Sequence, residues 1–279
     1  MSNPLAPVTR FFSGDKALPG KIVNALGGQV ARSMLARGLY RVRSFKISPD
    51  LSERFETLFN EGLLLWSDFL PADDFQQVRD EAWRLRDDPA ANHKTLHHGP
   101  NDLNIATFGA EEFSRYPAIA RFYRDRRFVE LMSAAERKPL GDAHGTRHYE
   151  NLVQGPSEEH DPETDLHSDI FFHTHKAWFY LEDVGPANGP LVVVPRSQRM
   201  TLRHLGDTYR ESIGMNKGSR RVSAAQLEQY GLAEKEVVVP ANTLVIANVH
   251  GFHCRRRGVP GNQRHALHWT MRSHPFFKR

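Results

Sequence analysis

The stretch from residue 176 to residue 195 restricts the fold more than any other part of the chain. Residues 176–183 (KAWFYLED) form an apolar run typical of a buried β-strand. Residues 185–190 (GPANGP) predict a turn. The β-branched run 191–194 predicts a second strand, which ends at Pro195. This half of the chain is therefore predicted to be built on β-structure.

The remaining elements place helices before most of the strands. Helices are predicted from residue 71 onward, over 117–135 and over 224–230, whereas residues 89–104, with their clustered histidines, are predicted to be a polar loop. Short strands are predicted at 63–70, 147–153, 236–239, 243–247 and 264–271. This order favours a β-sandwich or barrel with helices packed on one side. Because no glycine-rich loop follows a strand, a dinucleotide-binding or P-loop fold has no support.

The N-terminal part contains a basic amphipathic segment. In residues 21–46, Ile22, Leu26, Val30 and Met34 recur at four-residue spacing among several arginines, which predicts a partly helical structure. Such a segment packs on the outside of a domain or on a partner subunit, or it associates weakly with a membrane surface. The pattern leaves both alternatives open.

Composition limits the classes of protein to consider. The 279 residues carry a net charge of +4 and one cysteine, Cys254, which rules out an intramolecular disulfide and fits a reducing cytoplasm. No apolar run reaches the length of a membrane span, and the N-terminus lacks a signal-peptide pattern. The basic residues are scattered and form no motif that reads nucleic acid. We expect a cytoplasmic protein that acts on a small molecule.

A His-x-Asp pair, His167 and Asp169, lies just before the predicted strand 176–183. Residues two apart in an extended strand point to the same face. Two histidines and one carboxylate leave open positions on Fe(II), as an oxygenase requires. Such a pair also arises by chance in a chain with 15 histidines, and His148-x-Glu150 is a rival of the same spacing. The second histidine must come from elsewhere; the candidates after residue 240 are His250, His253, His265 and His268.

An oxidative iron site also needs a cosubstrate that chelates the metal and supplies two electrons, and 2-oxoglutarate does both. Its far carboxylate is best matched by arginine, because the planar guanidinium can bind both oxygens. We expect that arginine on the inward face of the strand after the distal histidine.

Five segments together resemble the phytanoyl-CoA dioxygenase family of Fe(II)/2-oxoglutarate oxygenases. They are NEGLLLWSDFLPADD, HSD, KAWFYLEDV, NGPLVVVP and the block from His253 to Arg264, and the resemblance runs from about residue 60 to 271. In that family an arginine follows the distal histidine by eleven positions, and 264 − 253 = 11 selects His253. The resemblance implies a mainly β fold with flanking helices around a double-stranded β-helix (jelly-roll, cupin-like) core. Residues 1–58 would be an extension and residues 59–279 the oxygenase domain.

The resemblance also implies roles for individual residues. His167, Asp169 and His253 would bind Fe(II), and Arg264 would hold the 2-oxoglutarate C5 carboxylate. Trp178 would line the cosubstrate site, although ordinary core packing is an equal alternative. There are four weaker candidates: Asn151 for the cosubstrate, and Tyr149, Arg147 and Lys176 for the substrate. Those on the 147–153 strand are expected to face the cavity.

The expected activity is hydroxylation of an aliphatic C–H bond of a small molecule, with oxygen consumed and succinate and CO₂ released. Two turns depart from the family pattern: residues 195–198 read PRSQ rather than PGSH, and Ala241-Asn242 replaces Gly-Asp. These departures leave the substrate open. Because Asp169 is present, halogenation is disfavoured. The alternative is a non-oxidative metal-binding cupin-like protein, an isomerase or a binding protein, which would not need Arg264.

Overall fold

The computed structural model describes residues 11–14, 16–18, 20–214, 219–271 and 274–276. Its helices are α1 (Lys21–Ala25), α2 (Gly28–Val42), α3 (Pro49–Glu61), α4 (Ala72–Arg86), α5 (Ala110–Arg115), α6 (Pro117–Tyr123), α7 (Arg126–Glu136), α8 (Leu202–Gly214) and α9 (Ala224–Tyr230). Its strands are β1 (Leu63–Trp66), β2 (His93–His98), β3 (Asn101–Thr107), β4 (Thr146–Val153), β5 (His167–Ser168), β6 (His175–Tyr180), β7 (Leu191–Val193), β8 (Arg220–Arg221), β9 (Lys235–Glu236), β10 (Thr243–Asn248), β11 (His253–Arg255) and β12 (Gln263–Thr270).

Within these described residues the strands form two antiparallel sheets. The larger has the order β1-β10-β6-β12-β4-β3-β2 and the smaller the order β8-β5-β11-β7-β9. In the larger sheet, Trp178 of β6 lies opposite His268 of β12. In the smaller sheet, His253 of β11 lies opposite His167 of β5. Two candidate ligands that are distant in sequence are thus neighbours through strand pairing.

The two sheets pack face to face and share one apolar core. Trp178 and Tyr180 of β6 contribute to it from the large sheet, and Leu191 and Val193 of β7 from the small one. The alternate residues of β6, including Phe179, point the other way and pack against α3, α4, α6 and α7. The predicted jelly-roll core with flanking helices is confirmed.

Two predicted elements differ from the structure. Residues 89–104 do not form a polar loop, because β2 and β3 make a hairpin that pairs with β4 at the sheet edge. The hairpin is polar because one face is exposed, so its sequence lacks an apolar run. The predicted helix 117–135 breaks before Asp125, whose side chain accepts hydrogen bonds from the backbone N–H groups of Arg127 and Phe128 at the start of α7.

The N-terminal helices pack with their polar side inward. Asn24 is fully buried and donates to the carbonyls of Leu18 and Ser212, and Gln29, Ser33 and the fully buried Arg32 lie on the same side. The predicted apolar stripe faces outward instead: Ile22 is 78% and Leu26 is 84% exposed. Buried polar groups need hydrogen-bond partners, and backbone carbonyls accept from the Asn24 and Arg32 side chains here.

The predicted boundary between residues 58 and 59 falls inside α3, which packs on β1 and α7. The division into an extension and a domain stays a prediction. No helix in the described ranges combines the length and apolar character needed to cross a membrane.

A close backbone contact between two loops requires glycine at residue 155. A Cβ atom there would lie 1.6 Å from the Pro100 carbonyl oxygen, and the Gly155 N–H donates to the Asn101 side chain. We expect Gly155→Ala to lower the free energy of unfolding by about 3 kcal/mol, because the loops must separate. Gly38→Ala in α2, where nothing lies within 4 Å, should instead raise it by about 0.5–1 kcal/mol. Urea denaturation measures both; an unchanged midpoint for Gly155→Ala would contradict the contact.

Candidate metal centre and cosubstrate pocket

Three predicted ligands converge at two neighbouring strands inside the small sheet. His167 and His253 face each other across β5 and β11, and Asp169 follows β5 on the same side as His167. Asp169 Oδ1 lies 3.5 Å from His167 Nε2 and 3.7 Å from His253 Nε2. One donor atom from each residue lies within 4.8 Å of the other two. This spacing places three donors around a point where one cation fits.

The two imidazoles are held with the same nitrogen facing the carboxylate. His167 Nδ1 lies 2.8 Å from the Asp165 carbonyl oxygen, and His253 Nδ1 lies 3.0 Å from that of Gly251. A carbonyl only accepts, so each Nδ1 carries the proton and each Nε2 keeps its lone pair. Arg221 Nη1 is more distant, 3.2 Å from His167 Nδ1, and donates to the same Asp165 carbonyl. Both rings are therefore oriented as metal ligands.

The charges of the triad also suit a divalent cation. Burial alone would raise the pKa of Asp169, but Lys176, His167 and His253 outweigh it and hold that pKa well below its usual range. The Lys176 Nζ atom lies 2.7 Å from Asp169 Oδ2, which leaves Oδ1 toward the histidines. Burial lowers the pKa of His253 to about 3, so its ring is neutral at pH 7. One anion and neutral imidazole are the donor states that a transition metal requires.

The triad opens into a cavity of about 390 Å³ that also contains Arg264, Trp178 and Lys176. Arg264 is 7% exposed; it donates through Nη1 to the Gly189 carbonyl, and Nη2 lies 4.0 Å from Glu150 Oε1. Its buried Nε has no hydrogen-bond partner among the described residues. A buried guanidinium with an unused donor fits a carboxylate ligand. The donor set and this arginine together fit Fe(II) and 2-oxoglutarate.

The weaker candidates on β4 lie on the other face of the strand. Tyr149 contacts His265 Nδ1 at 2.7 Å, Asn151 donates to the Gln263 side chain, and Arg147 donates to backbone carbonyls of the loop before β4. The prediction that they face the cavity is wrong, because the alternate residues, starting with His148, line it instead. The cosubstrate and substrate roles predicted for these three side chains lose their geometric support.

Several lining residues were not predicted as site residues. Glu150 and His148 were visible only as a rival His-x-Glu pair, and His268 only as a rival distal ligand. The hairpin contributes further lining residues. His98 belongs to the histidine cluster that the sequence predicts as a solvated loop near the mouth of the site, whereas no sequence signal marks the apolar ones: Leu96, Leu103 and Ile105.

Of the remaining rival histidines, His250 binds the Ile170 carbonyl, and His265 lies on the face of β12 away from the cavity, against Trp83. Burial, and then the charge of Arg86, lower the pKa of His265 to about 4. Above pH 6.5 the His265 ring is neutral in both the folded and the unfolded chain, and the fold keeps its full stability. Below pH 6.5 the unfolded chain takes up a proton that the folded chain does not, so stability is lost as the pH falls from 6.5 toward 4.

The free energy of unfolding should fall less steeply with decreasing pH in His265→Gln than in the wild type. The expected difference in slope between pH 6.5 and 4 is up to about 1.4 kcal/mol per pH unit. Urea unfolding at pH 7.5, 6 and 5 measures the slope for both proteins. Parallel slopes for the wild type and the variant would show that His265 does not remain neutral in the folded chain.

Fold and site together define a class: a double-stranded β-helix protein with a two-histidine, one-carboxylate centre. A model of the family described as Phytanoyl-CoA dioxygenase (PhyH) matches residues 50–241, more than half of the chain. The chain belongs to this family, and Fe(II), 2-oxoglutarate and oxygen, the predicted cofactors, are those of the class. The match includes His167 and Asp169 and ends before His253 and Arg264, which the structure brings to the same cavity.

Solved structures with the same fold include two that were crystallised with a metal ion. One is the epimerase SnoN in complex with Fe³⁺, alpha ketoglutarate and nogalamycin RO, at 12% identity, a TM-score of 0.55, and coverage of 79% of this chain and 84% of that chain. The other is HygX from Streptomyces hygroscopicus with nickel and 2-oxoglutarate bound, at 15% identity, a TM-score of 0.52, and coverage of 80% and 86%. At these identities the likeness concerns the fold. A search of curated proteins finds no match.

Proposed function

We propose that this protein is an Fe(II)- and 2-oxoglutarate-dependent oxygenase that hydroxylates an aliphatic C–H bond of a small molecule, releasing succinate and CO₂. The observation that carries the proposal is the convergence of His167, Asp169 and His253 in one cavity that also holds the buried Arg264. The three ligands would occupy one side of the metal, and Arg264 would hold the far carboxylate of the cosubstrate. Bound Fe(II) supplies the redox chemistry by which oxygen is activated at the expense of 2-oxoglutarate.

The protein's own contribution is orientation and burial. Backbone carbonyls fix both imidazoles, and Lys176 holds one oxygen of Asp169 so that the other faces the histidines. Both histidines are more than nine-tenths buried, which keeps bulk water away from the reacting atoms. Trp178 would form part of the wall beside the cosubstrate, where it already stacks on His268.

The hairpin suggests which part of the substrate enters the cavity. Leu96, Leu103 and Ile105 are half-buried and line it from β2 and β3. When a ligand covers apolar side chains at the mouth of a cavity, its binding becomes more favourable by about 25 cal/mol per Å² of apolar surface buried. We therefore propose a substrate with an aliphatic portion that lies against this hairpin, with the C–H bond to be oxidised pointing toward the triad.

The proposal is tested with purified protein loaded with Fe(II) without oxygen. Adding 2-oxoglutarate and then oxygen should produce succinate, and candidate substrates with aliphatic groups should increase the yield and gain one oxygen atom in mass. If 2-oxoglutarate neither binds by calorimetry nor is consumed, the oxygenase proposal fails and the non-oxidative alternative replaces it. One observation favours that alternative: the Glu150 carboxylate lies 4.0 Å from the guanidinium that would receive the cosubstrate.

We also propose that the protein works in the cytoplasm and that α1 and α2 associate weakly with anionic membranes. Ile22 and Leu26 are exposed, and Lys21 and Arg41 are exposed basic residues of the same segment. Co-sedimentation with vesicles containing phosphatidylserine should be reduced in Leu26→Ser. Equal binding by both proteins, or none, would refute this association.

A further inference from the structure

The cavity contains a second set of three metal-ligand side chains that the proposed function does not use. His148 and Glu150 lie two residues apart on the inward face of β4, and His268 lies opposite His148 on β12. Donor atoms of the three residues all lie within 4.8 Å of one another. Strand pairing thus builds a two-histidine, one-carboxylate group on the large sheet, as it does on the small sheet.

The distances in this group match a metal site after a small adjustment. Glu150 Oε2 lies 3.6 Å from His148 Nε2 and 3.5 Å from His268 Nδ1. Donors around a tetrahedral ion at about 2.1 Å are separated by about 3.4 Å, so both edges fit. The two ring nitrogens lie 2.7 Å apart, the distance of a shared hydrogen bond. A cation would replace that proton and separate the rings by about 0.7 Å, the difference from the tetrahedral spacing.

The surroundings bury the three side chains and hold Glu150 and His268 in their ligating states. All three are buried, with exposures of 8%, 5% and 6% for His148, Glu150 and His268. Burial would raise the pKa of Glu150, but His268, His148 and Arg264 outweigh it, so its pKa is well below the usual range. Burial lowers the pKa of His268 well below its usual value. Trp178 stacks on the His268 ring at 4.8 Å and fixes its plane.

The two oxygens of Glu150 have separate neighbours. Oε2 faces both imidazoles, whereas Oε1 lies on the side of Arg264, 4.0 Å from Nη2. A cation can therefore bind Oε2 while the guanidinium keeps Oε1. Glu150 can thus face a second cation without leaving the side of Arg264.

We propose that His148, Glu150 and His268 form a second divalent-metal site, distinct from the triad of His167, Asp169 and His253. Two imidazoles and a carboxylate with an open position are a donor set that Zn²⁺ accepts. The site does not depend on whether the triad performs oxidative chemistry.

The test counts metal ions in the full-length protein. Protein stripped with a chelator is loaded with Zn²⁺, desalted and analysed for zinc per chain. We expect two ions in the wild type, one in His167→Ala, one in Glu150→Gln and none in the double variant. Glu150→Gln keeps the shape of the side chain and removes its charge. The matched control is His265→Gln, a change on the same strand as His268 but on its other face, which should retain two ions.

One ion in the wild type that is lost in His167→Ala would overturn the second site. One ion in the wild type that persists in His167→Ala and is lost in Glu150→Gln would instead sustain the second site and remove the triad. Should Glu150→Gln fail to fold by circular dichroism, His268→Gln takes its place: one ion is expected, and two ions would contradict the second site. Absorption spectra after Co²⁺ loading give a second readout: a band that persists in His167→Ala and disappears when His268→Gln is added to it supports the site, and its absence from His167→Ala contradicts it.

Discussion

His167→Ala is expected to abolish iron binding at the triad and to reduce 2-oxoglutarate-dependent succinate formation by at least about 10³-fold. The variant leaves one imidazole and one carboxylate, and a ferrous ion would then lack one of the three protein ligands that would hold it. The effect is larger than for other site changes because both cosubstrate binding and oxygen use depend on the metal. Succinate release at saturating Fe(II) measures it.

The matched control for this change is His93→Ala. His93 lies on β2, is exposed, and its ring binds the Asp88 carbonyl and no other group among the residues that the structure describes. It should keep wild-type activity, which would exclude a general effect of removing a histidine. Undiminished succinate formation by His167→Ala, at wild-type stability in urea, would show that the reaction does not run at this triad.

Arg264→Gln is expected to weaken 2-oxoglutarate binding by about 30- to 100-fold, which corresponds to roughly 2–3 kcal/mol. The buried guanidinium supplies a charge-assisted bond to the far carboxylate, and glutamine cannot replace it. Iron binding should not change, because Arg264 contributes no ligand. Calorimetric titration of the Fe(II)-loaded protein without oxygen measures the affinity.

Arg256→Gln provides the control for loss of an arginine from the same segment. Arg256 is more exposed and pairs with Glu234 and Glu236 on the surface. Its affinity for 2-oxoglutarate should match that of the wild type. If Arg264→Gln and Arg256→Gln bind the cosubstrate equally well, Arg264 does not receive its carboxylate.

How far the sequence predicts this structure depends on how many faces of each element are buried. Strands β6, β7 and β10 are buried on both faces, so they appear as continuous apolar runs and are predicted correctly. The helix 224–230 is predicted within its observed bounds, and Ser223 and Gln226 cap its start reciprocally. The hairpin β2–β3 is exposed on one face and polar, and its pairing with β4 is a tertiary contact that a local pattern does not contain.

The sequence does not show which face of β4 points into the cavity, for a related reason. Residues 147–152 are all buried, so alternation of polarity does not distinguish the side of the cavity from the side of the helices. Residue polarity also fails to predict burial in the N-terminal helices, where Asn24 and Arg32 are fully buried and Leu26 is exposed. The distal histidine is a different case, because only the family's spacing singled out His253 from its three rivals. The structure places His253 beside His167 through the pairing of β11 with β5.

The most direct measurement is a calorimetric titration of 2-oxoglutarate, without oxygen, into the wild type with and without Fe(II) and into Fe(II)-treated His167→Ala. We expect tight binding to the Fe(II)-loaded wild type and at least about 100-fold weaker binding to the other two, because the metal supplies one end of the cosubstrate's attachment and Arg264 the other. Equal affinity in all three samples, or no binding in any, would contradict an iron centre built from His167, Asp169 and His253.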